Sequence, residues 1–259
     1  MEREWDMAGL IIKNLSKTFE IGDKKIQVLK DINLIIPNKS FVTLVGQSGC
    51  GKTTLLKILC GLENKTEGTI KLTDSTEKEN NKISIVFQEP RLMPWLTVEE
   101  NMAFSLINCK DKNYVKEKVS GYLKLLGLYD FRKAYPPQIS GGMAQRTSLG
   151  RTLCYEPQII LMDEPLGALD AFNRKKLQNE LINIFLKSDK TIIFVTHDIE
   201  EAIYLGQKII VMDTGEIIKE IPVNIDYYRD TSSLEFFYHK KEVLSIFNKL
   251  LEGDKNEFL

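Results

Sequence analysis

The chain has 259 residues, enough to bury a substantial core as one large domain or two small ones. Its 43% hydrophobic and 27% charged residues are ordinary for a soluble globular protein, and a net charge of −1, from 35 basic and 36 acidic residues, provides no global basic field of the kind that draws nucleic acid. No apolar run reaches the ~20 residues that a bilayer span needs, and Met1–Asp6 carries charges of both signs with no apolar signal core, so the chain is expected to stay in the cytosol unless a partner holds it at a membrane.

Short β-type runs come first: Leu10–Lys13, Ile32–Ile36 and Phe41–Val45, with Pro37–Ser40 as a turn before the third. A helix is expected over Thr53–Cys60, stopped by Gly61, and strands over Thr69–Leu72 and Ile83–Phe87. The polar run Thr73–Lys82 between them reads as a solvated loop. From Gln88 to Tyr155 the signals are helical: Thr97-Val98-Glu99-Glu100 is a capping box, and Tyr114–Leu126 places Val115, Val119, Tyr122, Leu123 and Leu126 on one face before Gly127. Strands Ile159–Met162, Ile192–Val195 and Ile209–Met212 follow, with a helix over Asn173–Lys187. The runs at Phe41, Ile159 and Ile192 are almost wholly apolar, as in strands covered on both faces of a parallel sheet. Strands alternating with helices argue for an α/β fold, with the strandless stretch as an inserted helical subdomain. Cys50, Cys60, Cys109 and Cys154 are scattered, form no CxxC pair and have no histidine nearby, which reads as free thiols and no metal site.

Gly46-Gln47-Ser48-Gly49-Cys50-Gly51-Lys52-Thr53 fits G-x-x-x-x-G-K-[ST], between an apolar strand and a helix as that phosphate-binding loop requires. Its glycines let successive backbone N–H groups face phosphate oxygens, and the helix that follows presents its positive end to the same anion. Lys52 is expected to reach the β- and γ-phosphates of ATP, Thr53 to ligate Mg²⁺, and Thr54 to add an α-phosphate contact. A second site supports the first. The strand Ile159–Met162 runs into Asp163 and Glu164, a costly place for two carboxylates unless a cation or a catalytic task requires them. Asp163 suits Mg²⁺ through a water, and Glu164 suits polarising the attacking water.

Ser140-Gly141-Gly142-Met143-Ala144-Gln145-Arg146, standing shortly before the Asp163-Glu164 strand, resembles the signature motif of the ATP-binding cassette (ABC) family. Ser140 is a natural N-cap, and the glycines expose N–H groups at a helix N-terminus. In that family they face the γ-phosphate of ATP held by the opposite monomer. The resemblance extends to Gln88, which would sense Mg²⁺ and the attacking water; to Ala168-Leu169-Asp170, the loop crossing between monomers; and to His197, which would hold the γ-phosphate. Phe19 lies where the family places an adenine-stacking aromatic, a plain core aromatic being the other reading. His239 has no such context and reads as a surface residue.

The resemblance runs from Leu10 to about Ile221 and is greatest to ATPases that energise import of nitrate, sulfonates, taurine and similar solutes. The strings Arg91–Val98, Asp163–Asp170 and Val195–Ala202 carry it, as does the tail Tyr227–Leu251 with its Arg229-Asp230 pair. Gln47 stands where that group usually has proline, and Gly150 and Thr152 replace alanines in the helix after the signature. It implies a P-loop NTPase (RecA-like) parallel-sheet core with an antiparallel β part. Residues 8–225 would form the ATPase domain, the helical subdomain covering about 89–157, and 226–259 a short helical extension. It further implies a head-to-tail homodimer closing around two ATP molecules, and two membrane-spanning permease subunits docking near Gln88–Trp95. The floor of that dock would be Leu92-Met93-Pro94-Trp95, for which a packed loop is the equal alternative. An extracytoplasmic solute-binding protein would act indirectly, and the chain would sit peripherally on the cytoplasmic face of the cell membrane. A soluble ABC ATPase, not coupled to transport, is the alternative function. A phosphate-loop kinase leaves Ser140–Gly142 and His197 unexplained, and a non-catalytic sensor would not need Glu164, Gln88 and His197 together.

Overall fold

The computed structural model describes residues 8–72, 83–167 and 169–256, the last six by backbone alone. The polar run Thr73–Lys82 and Ala168 lie outside the described residues. The chain gathers into two compact units, Met1–Thr73 with Ile193–Leu259 and Asp74–Ile192.

In the first unit, strands β1 (Ala8–Ile21), β2 (Lys24–Pro37) and β4 (Glu67–Leu72) form an antiparallel sheet in the order β2-β1-β4. Ile12 pairs with Leu34 on one side and Ile70 on the other. β1 and β2 outrun the apolar segments Leu10–Lys13 and Ile32–Ile36, because the hairpin continues through exposed or half-exposed residues around Gly22-Asp23, held by its backbone ladder (Phe19 opposite Ile26, Ile21 opposite Lys24). β3 (Phe41–Gly46) lies between β7 (Thr191–Thr196) and β8 (Lys208–Asp213), and β9 (Glu216–Pro222) closes the edge. β3 and β8 are parallel, Leu44 opposite Ile210, whereas β9 runs antiparallel to β8. β9 has no counterpart among the sequence-read strands, since its isoleucines do not alternate cleanly and only Ile221 is buried. Every residue of β3 and β7 is buried, as their unbroken apolar runs require. Helices α1 (Lys52–Leu59), α6 (Ile199–Leu205) and α7 (Leu234–Asn256) complete this unit.

In the second unit, β5 (Ile83–Val86) and β6 (Ile159–Asp163) pair in parallel, Val86 opposite Met162. Between them the described residues form helices and loops only: α2 (Val98–Ala103), α3 (Lys112–Leu125), α4 (Gly141–Cys154) and short 3₁₀ turns. α5 (Ala171–Lys187) follows β6. α2 starts on the expected box, the Thr97 hydroxyl accepting from the Glu100 N–H and the Glu100 carboxylate accepting from the Thr97 N–H. Met102, Leu126, Leu149 and Leu153 fill the space between the helices, each at most 3% exposed. Met102 also explains Gly150: a Cβ there would lie 2.4 Å from the Met102 methyl and 3.0 Å from Leu126 Cδ1. Cys154 is wholly enclosed in this core, and burial pushes its thiol up to about 12.

Candidate functional site

The phosphate loop begins where β3 ends. A Cβ on Gly46 would lie 2.2 Å from the Met212 carbonyl oxygen and 2.7 Å from Cys50 Sγ, so the strand can turn against β8 only with glycine here. Gly51, at φ +103°, caps α1 without a side chain, so no side-chain oxygen satisfies the first-turn N–H groups of that helix. No acidic residue sits in that turn either. An uncapped helix end beside a glycine loop attracts an anion through both its donors and its dipole. Lys52 is 5% exposed, its Nζ donating to the carbonyls of Gly46 and Gln47 at 2.8 Å each. Gln47 thus contributes through its backbone, and its side chain is exposed, as are Ser48, Gly49 and Thr53; Thr54 is half-buried. Burial raises the Cys50 thiol above its ordinary range, with the nearby Lys52 ammonium opposing, which keeps it protonated and unsuited to nucleophilic work.

The same unit carries Phe19 and His197. Phe19 is half-buried on β1, and Lys17 Nζ lies 4.5 Å from its ring centroid while bonding Glu63 Oε1 and the Asn64 carbonyl, each at 2.7 Å. His197 is exposed between the last residue of β7 and the N-cap of α6. Asp198 provides that cap, accepting from the N–H groups of Glu200 and Glu201, and its own N–H donates to Thr196 Oγ1 at 3.0 Å.

The other candidates belong to the second unit. Asp163 ends the wholly buried β6 and is 8% exposed. Glu164 follows at φ +45°, a left-handed conformation that a non-glycine residue holds at a cost and that gathers at functional sites. The turn it opens is closed by the Gly167 N–H on the Glu164 carbonyl, 3.2 Å. Gln88, exposed two residues after β5, reaches this turn: its Nε2 lies 3.6 Å from where a Gly167 Cβ would be. Ser140 caps α4, accepting from the Met143 N–H. Gly141 is exposed, and Gly142 lies beside Leu169, whose Cδ2 is 3.4 Å from a Cβ placed there. Asp170, next in line, caps α5; hydrogen bonds from Asn173, backbone first, hold its carboxyl below the usual range. Gln88 and the Glu164 turn are thus brought together, as are the Ser140–Gly142 helix end and the loop before Asp170.

A family model for the ABC transporter family matches residues 29–167, the stretch holding both the phosphate loop and the Ser140 helix end. The chain is 47% identical over 239 residues to the aliphatic sulfonates import ATP-binding protein SsuB of Bacillus thuringiensis subsp. konkukian (strain 97-27), covering 91% of this chain and 94% of the relative. The chain belongs to the ABC transporter family. A SsuB of Bacillus subtilis (strain 168) is 43% identical, over 90% of this chain and 92% of its own length. Among solved structures, the ATP-binding cassette MJ0796, in a dimeric post-hydrolysis state bound to ADP and Pi, superposes with a TM-score of 0.74 at 32% identity, covering 84% of this chain and all of that one. The expected P-loop NTPase fold stands, and the chain is an ATPase of the cassette type.

Within this cassette, several side chains that sequence reasoning passed over shape the site. Gln145, 4% exposed on α4, donates to the Phe87 carbonyl at 3.1 Å, just before Gln88. Arg151, two turns further, donates to the carbonyls of Pro90 and Arg91 at 3.1 Å each. The Gln88 loop is therefore held on both flanks by the helix that begins at Ser140. The loop also closes on itself, Arg91 (φ +46°) lying 3.9 Å over the Phe87 ring. Asn101, fully buried, fixes the next segment through Met93, Leu96 and Thr97, and leaves Trp95 71% exposed. The available signal was a glutamine, an arginine and an asparagine at core-facing helix positions. One expectation is corrected: His239 is half-buried in α7, not a surface residue, and its Nδ1 is enclosed without a hydrogen-bond partner.

Proposed function

We propose that the chain is the ATP-hydrolysing subunit of an importer for aliphatic sulfonates or similar small anions, working as a head-to-tail pair on two permease subunits at the cytoplasmic face of the membrane. The observation that carries it is the loop Gly46–Thr53, a glycine-lined turn fused to an uncapped helix end, in a chain so similar throughout to sulfonate import ATPases. A soluble cassette unlinked to transport is disfavoured by that same similarity over nine-tenths of its length. Among the described residues no helix is long and apolar enough to cross a membrane, so the membrane path belongs to partners.

In this reading Lys52 leaves the Gly46 and Gln47 carbonyls for the β- and γ-phosphates of ATP, and loop N–H groups and Thr54 hold the remaining oxygens. Phe19 stacks on the adenine. Thr53 and Asp163 offer the hard oxygen donors that would hold Mg²⁺ together with phosphates, and the ion would supply positive charge against that of the phosphates. Glu164 orients and polarises the attacking water, Gln88 senses the same water, and His197 holds the γ-phosphate. Ser140, Gly141 and Gly142 of one copy complete the ATP site of the other, with Asp170 at the crossing between copies. Permease subunits dock at Leu92–Trp95, supported by the exposed Trp95 indole. A solute-binding protein outside the membrane selects the cargo.

Two assays test this. The purified chain should hydrolyse Mg·ATP, and Lys52→Ala should remove turnover and most nucleotide affinity. Cells lacking the gene should lose uptake of labelled ethanesulfonate and regain it with the intact chain but not with Lys52→Ala. Unimpaired uptake in the deletion would overturn the import reading, and unimpaired hydrolysis by Lys52→Ala would overturn the role of the loop.

A further inference from the structure

The tail beyond β9 takes no part in the ATP chemistry described above, yet two of its charged side chains, Arg229 and Lys240, reach the same short helix. Arg229 is 5% exposed, although arginine is among the residues least often buried. Its Nη1 donates to the carbonyls of Ile203 and Gly206, the latter at 2.7 Å, and its Nε donates to the Ile225 carbonyl at 3.0 Å. The guanidinium also lies 5.1 Å from the Tyr227 ring centroid. Ile203 belongs to the last turn of α6 and Gly206 is its C-cap, so Arg229 supplies the donors and positive charge that a helix C-terminus lacks. The tail reaches the opposite end as well, where Lys240 Nζ on α7 pairs with Glu200 Oε1 in the first turn of α6 at 2.5 Å. Phe236 and Val243 of α7 are buried, at 1% and 0% exposed, which anchors the helix carrying Lys240. A further ion pair, Lys219 on β9 with Glu242 on α7 at 2.9 Å, ties the same helix to the sheet.

α6 has seven residues, and its N-cap, Asp198, directly follows His197. A helix this short has little stability of its own, so its seat is set by what holds it. On the strand side Thr43 Oγ1 donates to the Ala202 carbonyl at 3.2 Å. On the other side the holder is the tail.

We propose that Arg229 is a positioning residue for His197: the tail grips α6 at both ends, and the arginine at the C-terminal end fixes the seat from which the histidine works. The catalytic part of this inference rests on the role given to His197 above; the mechanical part does not. In consequence the tail is a built-in support of the ATPase, and a partner or truncation that loosens it would slow turnover without touching nucleotide contacts.

The chain has two histidines, so its imidazole signals can be read individually by ¹³C–¹H NMR on histidine-labelled protein, with His197→Ala assigning them. Intact chain, Arg229→Met and Arg229→Lys would be compared in such spectra and in steady-state ATP hydrolysis. In Arg229→Met the His197 signal should move or split and kcat should fall about tenfold or more, a catalytic group misplaced by an ångström being able to cost about a hundredfold. KM for Mg·ATP should stay within about twofold, since no binding contact is removed. Arg229→Lys, which keeps the charge but not the fork, should fall between the two. An unmoved His197 signal overturns the inference, whatever happens to the rate. So does a loss carried by KM with kcat intact. If Arg229→Met fails to fold, Arg229→Lys decides by the same criteria. Should the intact chain not hydrolyse ATP at all, the function proposed above fails, and the His197 signal alone still decides whether Arg229 seats the helix.

Discussion

Glu164 and Cys50 show how much the environment of a single residue decides. Glu164 directly follows a strand with every residue buried, in a backbone conformation that asparagine or glycine would adopt more cheaply. Its position there, with Gln88 reaching the same turn, accords with a chemical task. Cys50 is the opposite case. It lies inside the phosphate loop, but burial raises its thiol above the ordinary range and the Lys52 ammonium only partly offsets this. Because the thiolate is the reactive form, alkylation of Cys50 should still be climbing where an ordinary thiol, with a pKa near about 8.5, has levelled off. Iodoacetamide labelling followed by peptide mass spectrometry from pH 7 to pH 10 checks this. A plateau near pH 8.5 would show that Lys52 outweighs burial.

At the scale of elements, the helix beginning at Ser140 does more than present the end proposed to meet phosphate. Through Gln145 and Arg151 it holds the Gln88 loop on both flanks, so movement of one is passed to the other. Those contacts were not legible in sequence, because the polar residues of a helix do not announce which of them face inward. The phosphate loop, the Thr97 box and the buried strands were legible, since each depends on residues adjacent in the chain. The far halves of β1 and β2, and β9, were not, because backbone pairing to a neighbour holds them rather than an apolar pattern of their own. Gly150 illustrates the same limit. By helix propensity alone, Gly150→Ala should stabilise by about 1 kcal/mol. Met102 occupies the place of the new methyl, so the single substitution should bring no gain, and a loss of up to about 1–3 kcal/mol if Met102 cannot retreat. Paired with Met102→Val, which vacates that space, Gly150→Ala should recover part of the propensity gain. Urea denaturation of the two single variants and the double variant measures the coupling directly.

For the whole molecule, the loop at Gly46–Thr53 and the helix end at Ser140–Gly142 are the two ends proposed to take phosphate, one with an uncapped helix start and the other with two glycines behind a serine cap. A single chain carrying two such ends, and a cassette relative solved as a dimer with ADP and Pi, favour sites shared between two copies. The order of motifs along the chain is what led to that proposal before any coordinates. The cargo was legible only as a class, since no residue of an ATPase of this kind need touch it. Turnover should therefore require association, and blocking hydrolysis while leaving binding intact should hold the pair closed. Glu164→Gln removes the charge proposed to polarise water while preserving shape, so the most direct measurement is light scattering of this variant after gel filtration in Mg·ATP. The account predicts twice the monomer mass with ATP, the monomer mass without it, and ATP hydrolysis reduced to background. A monomer at saturating ATP, or hydrolysis at the rate of the unaltered chain, would contradict it.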